Sequence, residues 1–139
     1  MSQLKGLKRN TIDKYYTKQT VAETCLHYVK DNIHININDV IIEPSAGNGS
    51  FIEGIKRLSK HYKFYDLIPE HNEIVQQDFL ILDINEIQKT YHKIHIIGNP
   101  PFGRQSSLAI QFIKKSCQFC DSISFILPKS LKKNSLKFP

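Results

Sequence analysis

Short apolar runs alternate along the chain with segments whose apolar residues recur at helical spacing. The runs, typical of strands buried in a sheet, cover residues 40–43, 62–65, 73–77, 94–97 and 123–127. The helical spacing predicts helices over residues 20–30 and 51–58, around Ile84 and Ile87, and from 106 to 119. Residues 33–37 alternate isoleucine with polar residues, which indicates an extended segment or a connector.

Strands that alternate with helices predict an α/β fold built from parallel strands. We expect a Rossmann-like open parallel sheet with helices on both faces, which the sequence defines only through about the fifth strand. Ligands bind such sheets outside the carboxyl ends of the strands. Glu43, Asp66, Asp78 and Asn99 each lie at or just past the end of a predicted strand. These side chains should therefore gather at one edge of the sheet.

Composition narrows the class of protein. The 139 residues, 40% hydrophobic and 23% charged, suit one globular domain, and the net charge of +6 favours a polyanionic partner. No apolar run approaches the roughly 18 residues of a membrane-spanning helix, so no membrane partner is expected. The N-terminus has no apolar signal segment, and three cysteines are too few for a disulfide framework. These features predict an intracellular, cytoplasmic protein.

A glycine-containing loop follows the first predicted strand, and it reads Glu43, Pro44, Ser45, Ala46, Gly47, Asn48, Gly49. It lacks the third glycine of the dinucleotide fingerprint and the lysine of a P-loop. An acid before the loop suits a cationic ligand group. Asp66 could accept both hydroxyls of a ribose, Asp78 could accept an adenine amino group, and Phe79 could cover the base. A simple turn is the alternative, but the spaced acids together favour S-adenosylmethionine as cofactor.

The sequence Asn99, Pro100, Pro101, Phe102 follows the fourth predicted strand. The prolines stiffen this loop, and the Asn99 side-chain oxygen and the Pro100 carbonyl could accept from one amino group. Such acceptors favour a tetrahedral nitrogen whose lone pair is free to react, while Phe102 could stack on the ring that carries the amine. This chemistry is positioning and electrostatic support, and it needs no metal ion. A turn is again the alternative.

These motifs resemble, in order, those of class I S-adenosylmethionine-dependent methyltransferases that methylate the N6 amino group of adenine. The residues from Lys14 to Thr17 resemble the cofactor motif that precedes the glycine loop. By this resemblance Tyr16, Thr17 and the loop, with Asp66, Asp78 and Phe79, would contact the cofactor, and Asn99 to Phe102 would hold the target amine. The motif order is similar to the gamma arrangement of DNA adenine methyltransferases. It implies a 14–139 methyltransferase domain after a 1–13 tail.

The family's sheet has seven strands, ordered third, second, first, fourth, fifth, seventh, sixth, and only the first five are identifiable here. We therefore expect a C-terminally incomplete domain whose sheet is completed by a partner subunit or by further C-terminal sequence. DNA is the expected substrate. The alternatives are RNA adenine, a protein glutamine, and a truncated module that binds cofactor or a partner without turnover. Lys129, Lys132 and Lys133 follow the last strand, either as phosphate contacts or as a solvated surface.

Overall fold

The structure, a computed structural model, describes residues 17–129. Tyr16, Lys132 and Lys133 therefore lie outside the described residues. The helices are α1 (Gln19–Asn32), α2 (Ile52–Leu58), α3 (Asn85–Thr90) and α4 (Ser107–Cys117). The strands are β1 (Val40–Glu43), β2 (Tyr62–Asp66), β3 (Val75–Gln76), β4 (Ile94–Gly98) and β5 (Ser122–Phe125). Two 3₁₀ turns, Phe79–Ile81 and Arg104–Ser106, complete the described chain.

The five strands form one parallel sheet in the order β3-β2-β1-β4-β5. The central strand β1 is paired on both sides, with Ile42 opposite Lys63 of β2 and Ile96 of β4. All its residues are buried, because a parallel strand covered on both faces contacts no solvent. The expected α/β Rossmann-like sheet is confirmed, with the strand order that the resemblance implied for these five strands.

Alternate residues of the central strands separate two apolar cores. Ile41 and Phe64 pack with α1 and α2, through residues such as Leu26 and Ile55. Val40, Ile42 and Ile96 pack on the other face, with α3 and α4 through Ile87 and Phe112. The helices therefore cover both faces, and the period-2 alternation of strand side chains fixes which residue joins which core.

Several element boundaries differ from those predicted. Residues 33–37 form no strand: Ile33 and Ile35 pack on the core of α1, while Ile37 is exposed, so the segment is a connector. The third strand covers only Val75–Gln76. Both residues are exposed at the edge of the sheet, where a strand has one hydrogen-bonding neighbour and little packing to stabilise it. The fifth strand begins at Ser122 and ends at Phe125, and α4 ends at Cys117, two residues before its predicted end.

Candidate functional site

A cleft of about 240 Å³ lies at the carboxyl edge of the sheet, where β1, β2, β3 and β4 end. Polar groups from the loops after all four strands line it, together with apolar side chains from the start of α4. Its lining residues are Pro44, Ser45, Gly47, Asp66, Leu67, Ile68, Gln77, Asp78, Phe79, Leu80, Asn99, Pro101, Leu108 and Phe112. An apolar cleft with a few convergent polar groups is the usual form of a small-molecule site.

The glycine loop is fixed to the neighbouring strand by its own backbone. The Ala46 N–H donates to the Tyr65 carbonyl at 2.7 Å, and the Gly47 N–H donates to Asp66 Oδ2 at 2.8 Å. Gly47 adopts φ +60°, a left-handed conformation that glycine reaches without strain. The loop therefore turns sharply away from β1 and presents backbone rather than side chain to the cleft.

Asp66 is the buried acid that organises this loop. Its Oδ2 accepts from Gly47, and its Oδ1 accepts from the Ile68 N–H at 3.0 Å. A carboxylate oxygen has two acceptor positions, so it can accept from a ligand hydroxyl as well as from a backbone N–H. The ribose role predicted for Asp66 is compatible with this geometry, although the carboxylate also holds the loop in place.

The end of β3 contributes a second acid and an aromatic ring. Asp78 is half-buried, and its Oδ1 caps the following 3₁₀ turn by accepting from the Leu80 N–H at 3.0 Å. Phe79 is 1% exposed and packs its ring against Phe112 and Phe119, with centroid distances of 5.3 and 6.0 Å. Phe79 thus forms part of the cleft floor, and little of its ring is free to cover a base.

Asn99 lies in the cleft, where two neighbours hold its backbone carbonyl and its amide nitrogen. Its backbone carbonyl accepts from Ser45 Oγ at 3.1 Å, and its Nδ2 donates to Thr17 Oγ1 at 3.1 Å. The buried Oδ1 has no hydrogen-bond partner among residues 17–129. A buried acceptor left without a donor costs free energy, so its retention beside a cleft suits an atom that accepts from a ligand.

Glu43 ends β1 beneath the cleft and does not line it. Its side chain is buried, and Oε1 finds no hydrogen-bond donor within the described part of the chain. Burial, reinforced by the negative charge of Asp66, raises the pKa of Glu43 well above its usual range. Gly98 makes room for this carboxyl group, because a Cβ there would lie 3.1 Å from Glu43 Cγ.

The cleft unites half of the predicted site residues that lie within residues 17–129. The predicted residues that line it are Pro44, Ser45, Gly47, Asp66, Asp78, Phe79, Asn99 and Pro101. The predicted residues that do not line it are Thr17, Glu43, Ala46, Asn48, Gly49, Pro100, Phe102 and Lys129. Lys129 is exposed beyond β5. The ligand contacts assigned to all of these residues stay predictions.

Sequence reasoning missed several apolar residues of the cleft. Leu67 and Ile68 follow Asp66 directly and are 61% and 51% exposed, which is unusual for two consecutive large aliphatic side chains. Their position immediately after the acid that ends a strand is the feature of the sequence that could have assigned them to the site. Leu108 and Phe112 reach the cleft from α4, one helical turn apart, and only the packing of α4 on the sheet reveals them.

A larger hollow, of about 600 Å³, lies between α1 and β5. Its lining is mainly apolar, from residues such as Val21, Tyr28 and Phe125, and it includes no Asp, Glu, Lys, Arg or His. The smaller cleft is the better candidate site, because acidic and amide side chains converge in it and none lines the larger hollow except Asn32. Across residues 17–129 no three histidine, cysteine or acidic side chains cluster as metal ligands would. No helix of this described part is long and apolar enough to cross a bilayer.

Comparison with known proteins agrees with the methyltransferase fold that the motifs imply. The family model of the EDM2 methyltransferase-like domain matches residues 35–137, about three quarters of the chain. The match includes the glycine loop, the two strand-end acids and the Asn99 loop. No curated protein matches the sequence. On the extent of the family match, the chain belongs to the EDM2 methyltransferase-like domain family.

Proposed function

We propose that this protein is an S-adenosylmethionine-dependent methyltransferase that methylates the N6 amino group of adenine in DNA. The observation that carries the proposal is the cleft at the carboxyl edge of the sheet. It brings the glycine loop, Asp66 and Asp78 within one site that also contains Asn99, whose Oδ1 lacks a donor within the described residues. Membership of a methyltransferase-like family supports methyl transfer in general.

The cofactor half of the cleft fits S-adenosylmethionine in its chemistry. Asp66 and Asp78 offer carboxylate acceptors for the ribose hydroxyls and for the adenine amino group. The exposed side chains of Leu67 and Ile68 offer apolar surface for a base. The bound cofactor would supply a methyl group activated by a sulfonium. The protein's own task is to hold that group still and to exclude water.

The acceptor half of the cleft fits an exocyclic amine. Asn99 Oδ1 could accept a hydrogen from the amine and stabilise the positive charge that develops on nitrogen as it is methylated. The proline-stiffened loop and the Ser45 contact keep Asn99 in one position, so Asn99 loses little conformational entropy when the substrate binds. Phe102 ends this loop and is half-buried, so the loop carries an aromatic ring next to its prolines.

DNA is the proposed substrate because of the resemblance to DNA adenine methyltransferases and the cationic balance of +6. An adenine paired in a duplex must leave the stack before its amino group can reach a cleft. Exposed Lys129 follows the edge strand β5, in a C-terminal stretch that has no acidic residue after Asp121. Such cations contact phosphates without reading sequence.

One assay tests substrate and chemistry together. The full chain is incubated with S-adenosylmethionine that carries a tritiated methyl group, in parallel with duplex DNA, single-stranded DNA, RNA and a protein mixture. Labelled nucleic acid is digested and its methylated nucleosides are identified by mass spectrometry. The proposal expects label in DNA as N6-methyladenine. Label in RNA or protein would overturn the substrate, and transfer to none of them would favour a module without turnover.

A further inference from the structure

Thr17 and Asn99 are joined across most of the chain by a hydrogen bond between their side chains. Asn99 Nδ2 donates to Thr17 Oγ1 at 3.1 Å, and the two residues lie 82 positions apart. Thr17 lies two residues before the start of α1, whereas Asn99 follows β4. A contact of this kind cannot arise from local chain geometry, so the sheet and α1 must be folded together for it to form.

Thr17 contacts both Asn99 and Ser50, the residue that follows the glycine loop. It does not line the cleft, although Asn99 does. Its backbone carbonyl accepts from the hydroxyl of Ser50, which follows the glycine loop. Ser50 therefore holds the backbone of Thr17, while the Thr17 side chain holds the amide of Asn99, the residue proposed to bind the target amine.

We infer that Thr17 is a positioning residue for methyl transfer: it fixes the amide plane of Asn99 so that Oδ1 remains the acceptor for the target amine. This inference rests on the proposed function. The amide of asparagine carries two donors on nitrogen and an acceptor oxygen. With one N–H donated to Thr17, the nitrogen stays turned toward Thr17. An amide that rotated would bring N–H groups to the position of the acceptor, where they would repel an amine.

The experiment compares four variants of the full chain. Thr17→Val removes the hydroxyl but keeps the branched shape, and Thr17→Ser restores the hydroxyl. Ser50→Ala removes the hydroxyl that contacts the Thr17 carbonyl and Asn48 Oδ1 but leaves the Thr17 side chain in place. Thr24→Val is the matched control, since the Thr24 hydroxyl donates to the Thr20 carbonyl on the exposed surface of α1. Calorimetry gives the Kd of S-adenosylmethionine, and single-turnover kinetics with saturating cofactor and DNA gives the rate of methyl transfer.

The inference expects Thr17→Val to slow single-turnover methyl transfer by about 10- to 100-fold, as misplacement of a reacting group does. The cofactor Kd should stay unchanged, Thr17→Ser should recover most of the rate, and Thr24→Val should match the wild type. A raised Kd with an unchanged saturating rate would overturn the inference and make Thr17 a cofactor contact. A Thr17→Ser rate as low as that of Thr17→Val would also overturn it.

A readout independent of turnover separates this inference from the proposed function. The side-chain NH₂ of Asn99 is observed by nitrogen-15 NMR and assigned by its loss in Asn99→Asp. The inference expects one N–H to exchange slowly in the wild type and rapidly in Thr17→Val. Equal exchange in both proteins would overturn the contact. If the wild type transfers no methyl group, the proposed function fails, and the NMR result alone decides whether Thr17 holds Asn99.

Discussion

Two fully buried acids lie at opposite ends of β1, and their surroundings differ. Asp39 immediately precedes the strand, whereas Glu43 ends it. The Oδ2 of Asp39 accepts from the Asn36 N–H at 3.0 Å and from His95 Nε2 at 2.8 Å. The Oε1 of Glu43 has no donor within the described residues. Asp39 Oδ1 likewise has no hydrogen-bond partner within the described residues and lies 3.4 Å from His92 Nδ1. The amino edge of the sheet thus stabilises its buried acid through the two donors at Oδ2, and the carboxyl edge offers Glu43 Oε1 none.

The pKa directions follow this difference. Burial alone would raise the pKa of Asp39, but the hydrogen bonds from His95 and Asn36 outweigh it and hold the pKa below its usual value. No comparable donors oppose burial at Glu43, whose pKa is raised. Asp39 therefore contributes its hydrogen bonds to the fold, whereas the cleft of the proposed function lies at the carboxyl edge, beside residues other than Glu43. The amino edge therefore serves the stability of the fold, and the carboxyl edge carries the proposed function.

The amino-edge network continues from Asp39 into the sheet. Because a carboxylate can only accept, His95 Nε2 donates to Asp39, and His95 Nδ1 shares a hydrogen bond with the Ser122 hydroxyl, 2.7 Å away. Asp121 adds a bond from the Ile94 N–H at 2.9 Å. The network links the starts of β1, β4 and β5, so its removal should weaken the fold and leave the cleft intact.

The largest effect that we expect is on catalysis at the carboxyl edge. Asn99→Ala removes the acceptor proposed for the amine and should lower the single-turnover rate of methyl transfer by about 10²- to 10³-fold. The Kd of S-adenosylmethionine should remain near that of the wild type. Asn72→Ala, in an exposed turn outside the cleft, is the control. Turnover that survives Asn99→Ala would contradict the amine-positioning chemistry.

At the amino edge the expected effect is on stability. Asp39→Ala strands the buried His95 N–H and the Asn36 N–H, and should lower the free energy of unfolding by about 3 kcal/mol. Urea denaturation measures the loss. Asp31→Ala is the matched control, because Asp31 also pairs with a histidine, His27 at 3.3 Å, but on the exposed face of α1. That change should cost at most about 0.5 kcal/mol. Equal losses in the two variants would contradict the comparison.

A smaller effect of opposite sign is expected for Glu43→Gln. A buried acid with a raised pKa keeps its proton in the folded state after the unfolded chain has lost it. The wild type should therefore lose stability as the pH rises above the unfolded value of about 4.3. Glu43→Gln should flatten this dependence and be more stable than the wild type at pH 7. Urea denaturation at pH 4.5 and 7.5 tests this, with exposed Glu23→Gln as control.

The sequence predicted the carboxyl edge much better than the amino edge. Motif spacing placed Asp66, Asp78 and Asn99 at strand ends, and parallel pairing then brought those ends together in one cleft. The Asp39–His95–Ser122 network joins residues 27 to 56 positions apart, and hydrophobic periodicity carries no information on such polar pairings. The short β3 and the contact between Thr17 and Asn99 depend likewise on tertiary packing rather than on local pattern.

The central claim is that the cleft at the carboxyl edge binds S-adenosylmethionine, and isothermal titration calorimetry tests it most directly. The full wild-type chain, Asp66→Asn and Asp39→Asn are titrated with the cofactor, after circular dichroism has shown each protein to be folded. We predict one site per wild-type chain, a Kd raised by about tenfold in Asp66→Asn through loss of a charged acceptor, and an unchanged Kd in Asp39→Asn. No binding to the wild type, or equal weakening by the two substitutions, would contradict the account.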